Sequence, residues 1–365
     1  MYYFTGSNLF GQWITKENII DGFRTFSETD EIDCLFCEKN AKLVYISWSY
    51  NIIQCNNEFY AIGAWNGLEN QCEKIALPDE CMNSDLSLVG NDYRLVVVNR
   101  NTNTLWLINL EHVNDVKKIK FDTEVPIEKE PKKLKKVDSI LKVAACNDSF
   151  LFLTTEGVVY SGLLPSYVDT SHCLGRVVDV HCGYEHCILL TDAGEVYTWG
   201  NGRRLQLGHG DVNILDSPTI VEALSGIKVK KIAAGGWHCL ALSEFGDLYA
   251  WGWNDTGQLG IIEKGNKETL KSCSVPTLVD LFDDDVEIMK NVEDIACGSR
   301  HSAVLLEDDT VWTAGNNKYG QLGLSVDKHP VVQGFKKSFY CKSGMALMCG
   351  LWSTVVISDQ NKIAK

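Results

Sequence analysis

The stretch Ala233-Ala234-Gly235-Gly236-Trp237-His238-Cys239-Leu240-Ala241-Leu242, continued by Gly246, Tyr249, Trp251-Gly252 and Gly257-Gln258-Leu259-Gly260, decides the fold of this chain. It runs from a Gly-led segment into an apolar strand, a turn, a second strand with aromatic residues, and a Gly-rich loop. The same order recurs upstream from Cys182-Gly183-Tyr184-Glu185-His186 and downstream from Cys297-Gly298-Ser299-Arg300-His301. The closing loop reads Gly320-Gln321-Leu322-Gly323 downstream and Leu205-Gln206-Leu207-Gly208 upstream. Such a repeat is one supersecondary unit that buries its apolar faces only against its neighbours.

Eroded copies emerge through the turn residue. Gly194, Gly246 and Asp309 each follow a repeat histidine by eight residues. A tight turn with positive φ suits Gly best and Asn or Asp next. The same register predicts turns at Asn57, Asn103, Gly157 and Asn361. Three residues beyond six of the turns stand Tyr60, Trp106, Tyr160, Tyr197, Tyr249 and Trp312. Counting back puts Ser49, Leu95, Ser149 and Ser353 at the histidine position. The resulting spacing of about 51 residues is that of four-stranded propeller blades.

The seventh copy is split. Its opening, Cys349-Gly350-Leu351-Trp352-Ser353-Thr354, lies near the C-terminus, and Tyr3-Phe4-Thr5-Gly6 and Gly11-Gln12 continue it from the N-terminus. The step from Gly6 to Gln12 equals that from Gly200 to Gln206, Gly252 to Gln258 and Gly315 to Gln321. Joining both ends in one sheet removes an open edge. The expectation is an all-β, seven-bladed β-propeller forming a single domain over residues 1–365. Strong repeats cover 180–323, the split blade combines 343–365 with 1–14, and inserts fall at 114–138 and 261–274.

These motifs (Cys-Gly-x-x-His, Gly-x-Val-Tyr-x-Trp-Gly and Gly-Gln-Leu-Gly) resemble the regulator-of-chromosome-condensation repeat rather than a WD40 or kelch repeat. Within that family, Ala233 to His238 with Trp251-Gly252-Trp253-Asn254-Asp255-Thr256-Gly257-Gln258-Leu259, and Ile46-Ser47-Trp48-Ser49-Tyr50, are similar to the single-domain member that partners a Jumonji-C oxygenase. The resemblance implies a non-catalytic adaptor in chromatin regulation and chromosome segregation, located in the nucleus and also in the cytoplasm. Behind that reading, the resemblance implies a guanine-nucleotide exchange factor for a small Ran-like GTPase as the first alternative, and a cytoskeletal or cytoplasmic scaffold is a third reading. Histone contact is a further implication of the family. Gly6 already belongs to a blade, so the basic tail used for nucleosome docking is not expected here.

The net charge of −14 repels phosphate backbones, and no direct nucleic-acid binding is expected. The basic cluster Lys132-Lys133-Leu134-Lys135-Lys136, after Lys117, Lys118 and Lys120, reads as a solvated linker or as a localisation signal. Polar residues interrupt every apolar run before membrane length. Met1 to Gly6 has no signal-peptide character, so an intracellular protein is expected. The 14 cysteines then read as small apolar core residues. Cys34 and Cys37 have metal-ligand spacing without a second pair. Asp283-Asp284-Asp285 reads as a solvated loop.

No Gly-x-Ser-x-Gly, His-Glu-x-x-His or Gly-x-x-x-x-Gly-Lys motif occurs, so no catalytic residue, cofactor or metal is expected. His186, His238 and His301 read as structural, tying strand to loop, since equivalent positions in separate blades cannot share a metal. Gln12, Gln206, Gln258 and Gln321 should satisfy backbone groups at blade junctions. Gly194 and Gly246 read as turn formers. The residue before the histidine position is Trp48, Arg94, Asp148, Glu185, Trp237, Arg300 or Trp352. Ring closure makes Trp237, Arg300, Trp352, Trp48 and Arg94 an arc over consecutive blades, with Trp253 beside it. Trp and Arg are the side chains most enriched at binding hot spots. Either the arc binds a partner or its tryptophans pack against neighbouring loops. Lys264, Lys267 and Lys271 extend one insert. Arg203, Arg204 and Leu205 depart from the repeat without an evident reason.

Overall fold

A computed structural model describes residues 1–26, 41–81, 84–120, 139–145, 147, 149–262, 270–283 and 286–358. Seven four-stranded antiparallel sheets follow one another around a ring. Blade 1 comprises Lys42–Ile46, Tyr50–Cys55, Glu58–Trp65 and Leu68–Lys74. Blade 2 comprises Leu86–Gly90, Arg94–Asn99, Thr104–Asn109 and Val116–Lys120. Blade 3 runs from Ile140–Ala145 to Ser166–Val168, blade 4 from Val177–Cys182 to Leu215–Ile220, blade 5 from Val229–Ala234 to Ser272–Leu278, and blade 6 from Val292–Cys297 to Val331–Tyr340. The first strands of successive blades touch and form the inner wall.

Blade 7 is the split one. Tyr2–Ser7 lies between Ser353–Ser358 and Ile19–Thr25, with Gly6 opposite Ser353. Phe4, Trp13, Ile46 and Ile53 fuse blades 7 and 1 into one apolar cluster, in which the Phe4 and Trp13 rings stack at 4.6 Å. Second and third strands are buried on both faces, as in His238–Ser243, because each blade is sandwiched by two others.

The aromatic after each turn holds the same place throughout. Tyr60, Trp106, Tyr160, Tyr197, Tyr249 and Trp312 all pair with the middle of the second strand. The histidine position needs correction in two blades, because hairpin length varies. Blade 4 turns through Asp192-Ala193-Gly194, whereas blade 1 uses only Asn56-Asn57 between the paired Cys55 and Glu58, and its left-handed residue is Asn56 (φ 55°) rather than Asn57. Tyr50, not Ser49, therefore opposes Gly63 as His186 opposes Gly200. Blade 2 has four residues between Asn99 and Thr104, which brings Arg94, not Leu95, to that position. Asn361, Asp148, Cys34, Cys37, Lys132 to Lys136, Lys264, Lys267 and Asp284-Asp285 lie outside the described residues.

Candidate functional site: the loop face and its blade clamps

The spacing Gly-x-x-His has a steric cause. A Cβ at Gly183, Gly235 or Gly298 would fall on the imidazole of His186, His238 or His301. Each ring folds back over its own loop, and its Nε2 reaches the second strand of the next blade. The contacts are His186 to Cys239 Sγ (3.1 Å), His238 to Ser302 Oγ (2.9 Å) and His301 to Thr354 Oγ1 (3.0 Å). Those three groups donate in turn to the carbonyls of Gln206 (3.6 Å), Gln258 (2.6 Å) and Gln321 (2.7 Å). A hydroxyl whose proton goes to the carbonyl must accept from imidazole Nε2–H, which sets the neutral tautomer. Burial pushes the imidazoles down to about 4 in His186, about 3 in His238 and about 4 in His301. The histidines thus clamp blade to blade, a longer reach than the strand-to-loop tie expected.

The glutamines act through both ends. Oε1 of Gln12, Gln206, Gln258 and Gln321 accepts the backbone N–H two residues earlier, from Phe10 (3.1 Å), Arg204 (2.8 Å), Thr256 (3.0 Å) and Tyr319 (2.9 Å). At the ring closure, Asn51 Nδ2–H donates straight to the Gln12 carbonyl at 2.9 Å. Sequence reading missed a second set of loop pins. Asn8, Asn254 and Asn317 stand four residues before Gln12, Gln258 and Gln321, and their Oδ1 atoms accept from Trp13, Leu259 and Leu322 at 2.7, 2.9 and 3.0 Å. The repeated Asn-to-Gln spacing was the available signal.

These clamps brace one set of loops, and the tryptophans and arginines sit on it in two clusters. Trp48, Trp352 and Tyr319 form a triangle with ring centroids 5.9, 5.4 and 5.6 Å apart, and Phe10 lies 5.8 Å from Trp48. In the second cluster the Arg204 guanidinium lies 4.4 Å from the Trp237 ring and 4.9 Å from the Trp253 ring. Arg300 approaches the Trp237 ring at 5.7 Å while pairing with Asp255 at 2.9 Å. Tyr184 meets the Trp237 ring edge-on at 5.0 Å. All these aromatic rings are half-buried. Arg204 was the missed member, and its cation–π sandwich accounts for the arginine there. Leu205 beside it takes φ 62°, where Gly11, Gly257 and Gly320 stand in other blades.

Arg94 does not join the arc. It opens its strand at the histidine position, and the loop residue before it is Tyr93, 63% exposed. Trp48 also lies one step earlier in its loop than Trp237 does, level with Tyr184. The arc is therefore a pair of clusters, over blades 4 to 6 and over blades 6, 7 and 1.

The inner wall carries alternating charges at equivalent places. Lys142 pairs with Asp179 (2.6 Å), and Lys231 pairs with Asp294. His181 lies 2.9 Å from Lys142, and burial lowers its imidazole pKa. Burial opposes ionisation of Asp179, but the His181 hydrogen bond and the Lys142 charge prevail and hold its carboxyl well below the usual range. These groups satisfy one another. Among the described residues, no three His, Cys, Asp or Glu side chains are placed to hold a metal ion. No helix there is long and apolar enough to cross a membrane.

Family models described as "Regulator of chromosome condensation (RCC1) repeat" match residues 193–242 and 246–305, and 177–206, 229–258 and 292–321. The chain thus carries RCC1 repeats within residues 177–321. RCC1 domain-containing protein 1 of Mus musculus is 37% identical over 215 residues, covering 50% of this chain and 55% of that protein. The Homo sapiens protein is 35% identical over 214 residues, covering 50% and 56%. The matched stretch thus spans about half the length of these RCC1 relatives. Human E3 ubiquitin-protein ligase HERC2 is 39% identical over 171 residues, 46% of this chain but 3% of the ligase. Human WBSCR16 superposes with a TM-score of 0.76 at 16% identity over 98% of each chain. Prp20p of Saccharomyces cerevisiae, characterised for binding to Gsp1p and histones, gives 0.74 at 17% identity over 100% of this chain and 93% of its own. At these identities the two structures speak for the fold alone.

Proposed function

We infer that this RCC1-repeat chain is a non-catalytic docking platform whose partner is a Jumonji-C oxygenase, acting in the nucleus in chromatin regulation and chromosome segregation. The observation that carries the docking reading is the Arg204–Trp237–Trp253 sandwich with Arg300 and Tyr184 around it. Pre-ordered aromatic and arginine side chains on a braced set of loops lose little entropy on binding, which is the character of hot spots. The oxygenase partner rests on resemblance to the single-domain family member.

Trp237→Ala and Arg300→Ala should each weaken pull-down of the oxygenase at least tenfold and leave the melting temperature nearly unchanged. Unchanged capture by both variants would refute the docking face. Absence of any Jumonji-C protein after affinity purification and mass spectrometry would refute the partner. The second reading is nucleotide exchange on a small Ran-like GTPase, which the regulator-of-chromosome-condensation repeats also imply. Accelerated nucleotide release from that GTPase would replace the first reading with the second.

A further inference from the structure

In four blades the first residue of the second strand reaches the following blade. His186, His238 and His301 do so through Nε2, and Tyr50 does so by donating its phenol proton to the Asn91 carbonyl at 3.0 Å. Blade 2 places Arg94 there. Val96 and Val98, on the same side of that strand, pack in the core between blades 2 and 3, so the Arg94 side chain leaves toward blade 3. Blade 3 presents Phe150 where blades 5 to 7 present Cys239, Ser302 and Thr354. Among the described residues, the half-buried guanidinium has neither an ion pair nor a hydrogen bond.

Blade 3 is also short. Its third and fourth strands, Val159–Ser161 and Ser166–Val168, have three residues each. Among the described residues, the outer half of blade 2 is left partly uncovered. Two adjoining cavities of about 310 and 430 Å³ open there and share Arg94 and Asn109. Asn91, Tyr93 and Asn147 line the smaller one. The larger has an apolar floor of Leu107, Ile119, Leu163 and Leu164, with Lys117 beside it. Leu164 is 68% exposed.

A partly desolvated guanidinium without an acceptor is unfavourable, and a carboxylate relieves it with two parallel N–H···O bonds. The apolar floor next to it calls for an aliphatic or aromatic group. Polar and apolar pockets in a row suit side chains i and i+2 of an extended peptide, which point the same way about 7 Å apart. Glu111 and Asp115 on the rims disfavour a run of acids and select a single one.

We propose that the groove between blades 2 and 3 binds an extended segment of a protein partner. Arg94 holds one Asp or Glu side chain of that segment, and Leu107, Ile119 and Leu163 seat a large apolar side chain two residues away. The site stands apart from the Trp237 cluster and does not depend on it.

The test is an array of acetylated, amidated decapeptides, each with one Asp or Glu in varied apolar contexts, probed with the full chain. Retained peptides should need the acid, with Leu, Ile, Met or Phe two residues from it. Changing the acid to its amide should cost at least tenfold. Arg94→Gln should cost the same, Arg94→Lys less, and Leu164→Asp should weaken binding without touching the core. Trp237→Ala should leave peptide binding intact, which separates this site from the docking face. Equal binding by Arg94→Gln would overturn the proposal. So would retention of the amide peptides, or capture only by a parallel set with free C-terminal carboxylates. Self-association of the chain abolished by Arg94→Gln would assign the groove to a second copy and overturn it equally.

Discussion

Ser302→Ala removes a single oxygen, and the clamp geometry sets what it should cost. The Ser302 hydroxyl accepts from His238 Nε2–H at 2.9 Å and donates to the Gln258 carbonyl at 2.6 Å. Ser302 and His238 are fully buried, and Gln258 is 1% exposed, so water cannot replace the lost partner. Each orphaned buried group costs about 1–3 kcal/mol, and the expected destabilisation is about 2–5 kcal/mol. The volume removed is too small for a cavity to contribute much. The assay is equilibrium urea unfolding, with Ser338→Ala as control. That half-buried hydroxyl donates to the Val311 carbonyl at 3.2 Å and should matter by less than about 1 kcal/mol. In a double-mutant cycle with His238→Ala, the coupling should exceed about 1 kcal/mol, because both changes break the same chain of bonds. A Ser302→Ala variant within about 0.5 kcal/mol of the parent, or strict additivity in the cycle, would refute the clamp.

The clamp histidines also make stability depend on pH. Their folded values, about 4, about 3 and about 4, lie below the unfolded value near 6.5, so the unfolded chain binds more protons in between. Their contribution is therefore complete above about pH 6.5 and falls as pH drops toward 4, by about 1.4 kcal/mol per unit for each histidine. Urea midpoints at pH 7 and pH 5 should differ strongly, and His186→Gln should flatten the dependence by about a third of the three-histidine effect; an unchanged slope would contradict it. Leu205→Gly should stabilise by about 0.5–1 kcal/mol by relieving a left-handed backbone, read by the same unfolding assay. A loss of stability would show that Leu205 packing outweighs the strain. Asn51→Ala strips the bond from blade 1 to the Gln12 carbonyl and should cost about 1–3 kcal/mol, with faster amide exchange in Tyr2–Ser7. Uniform exchange across the chain would argue that ring closure rests on packing alone.

The sequence by itself determined the repeat, the number of blades and the split that closes the ring. Those features are local. A turn needs positive φ, an aromatic follows at fixed distance, and the Gly of Gly-x-x-His yields to its own imidazole. Legibility ended where counting crossed a hairpin. Blades 1 and 2 turn with one residue fewer and one more than blade 4, so Ser49 and Leu95 slipped from the register that strand pairing assigns to Tyr50 and Arg94. Partners in the next blade were beyond reach for the same reason. Nothing in the spacing of His238 and Ser302, or of Arg204, Trp237 and Trp253, says that they touch, because blade-to-blade contact follows from ring closure. Tertiary structure alone decided that Arg204 joins the tryptophans and that Arg94 lines the groove between blades 2 and 3. Both outcomes turn on where a long side chain finds a partner, and that depends on the neighbouring blade rather than on its own repeat.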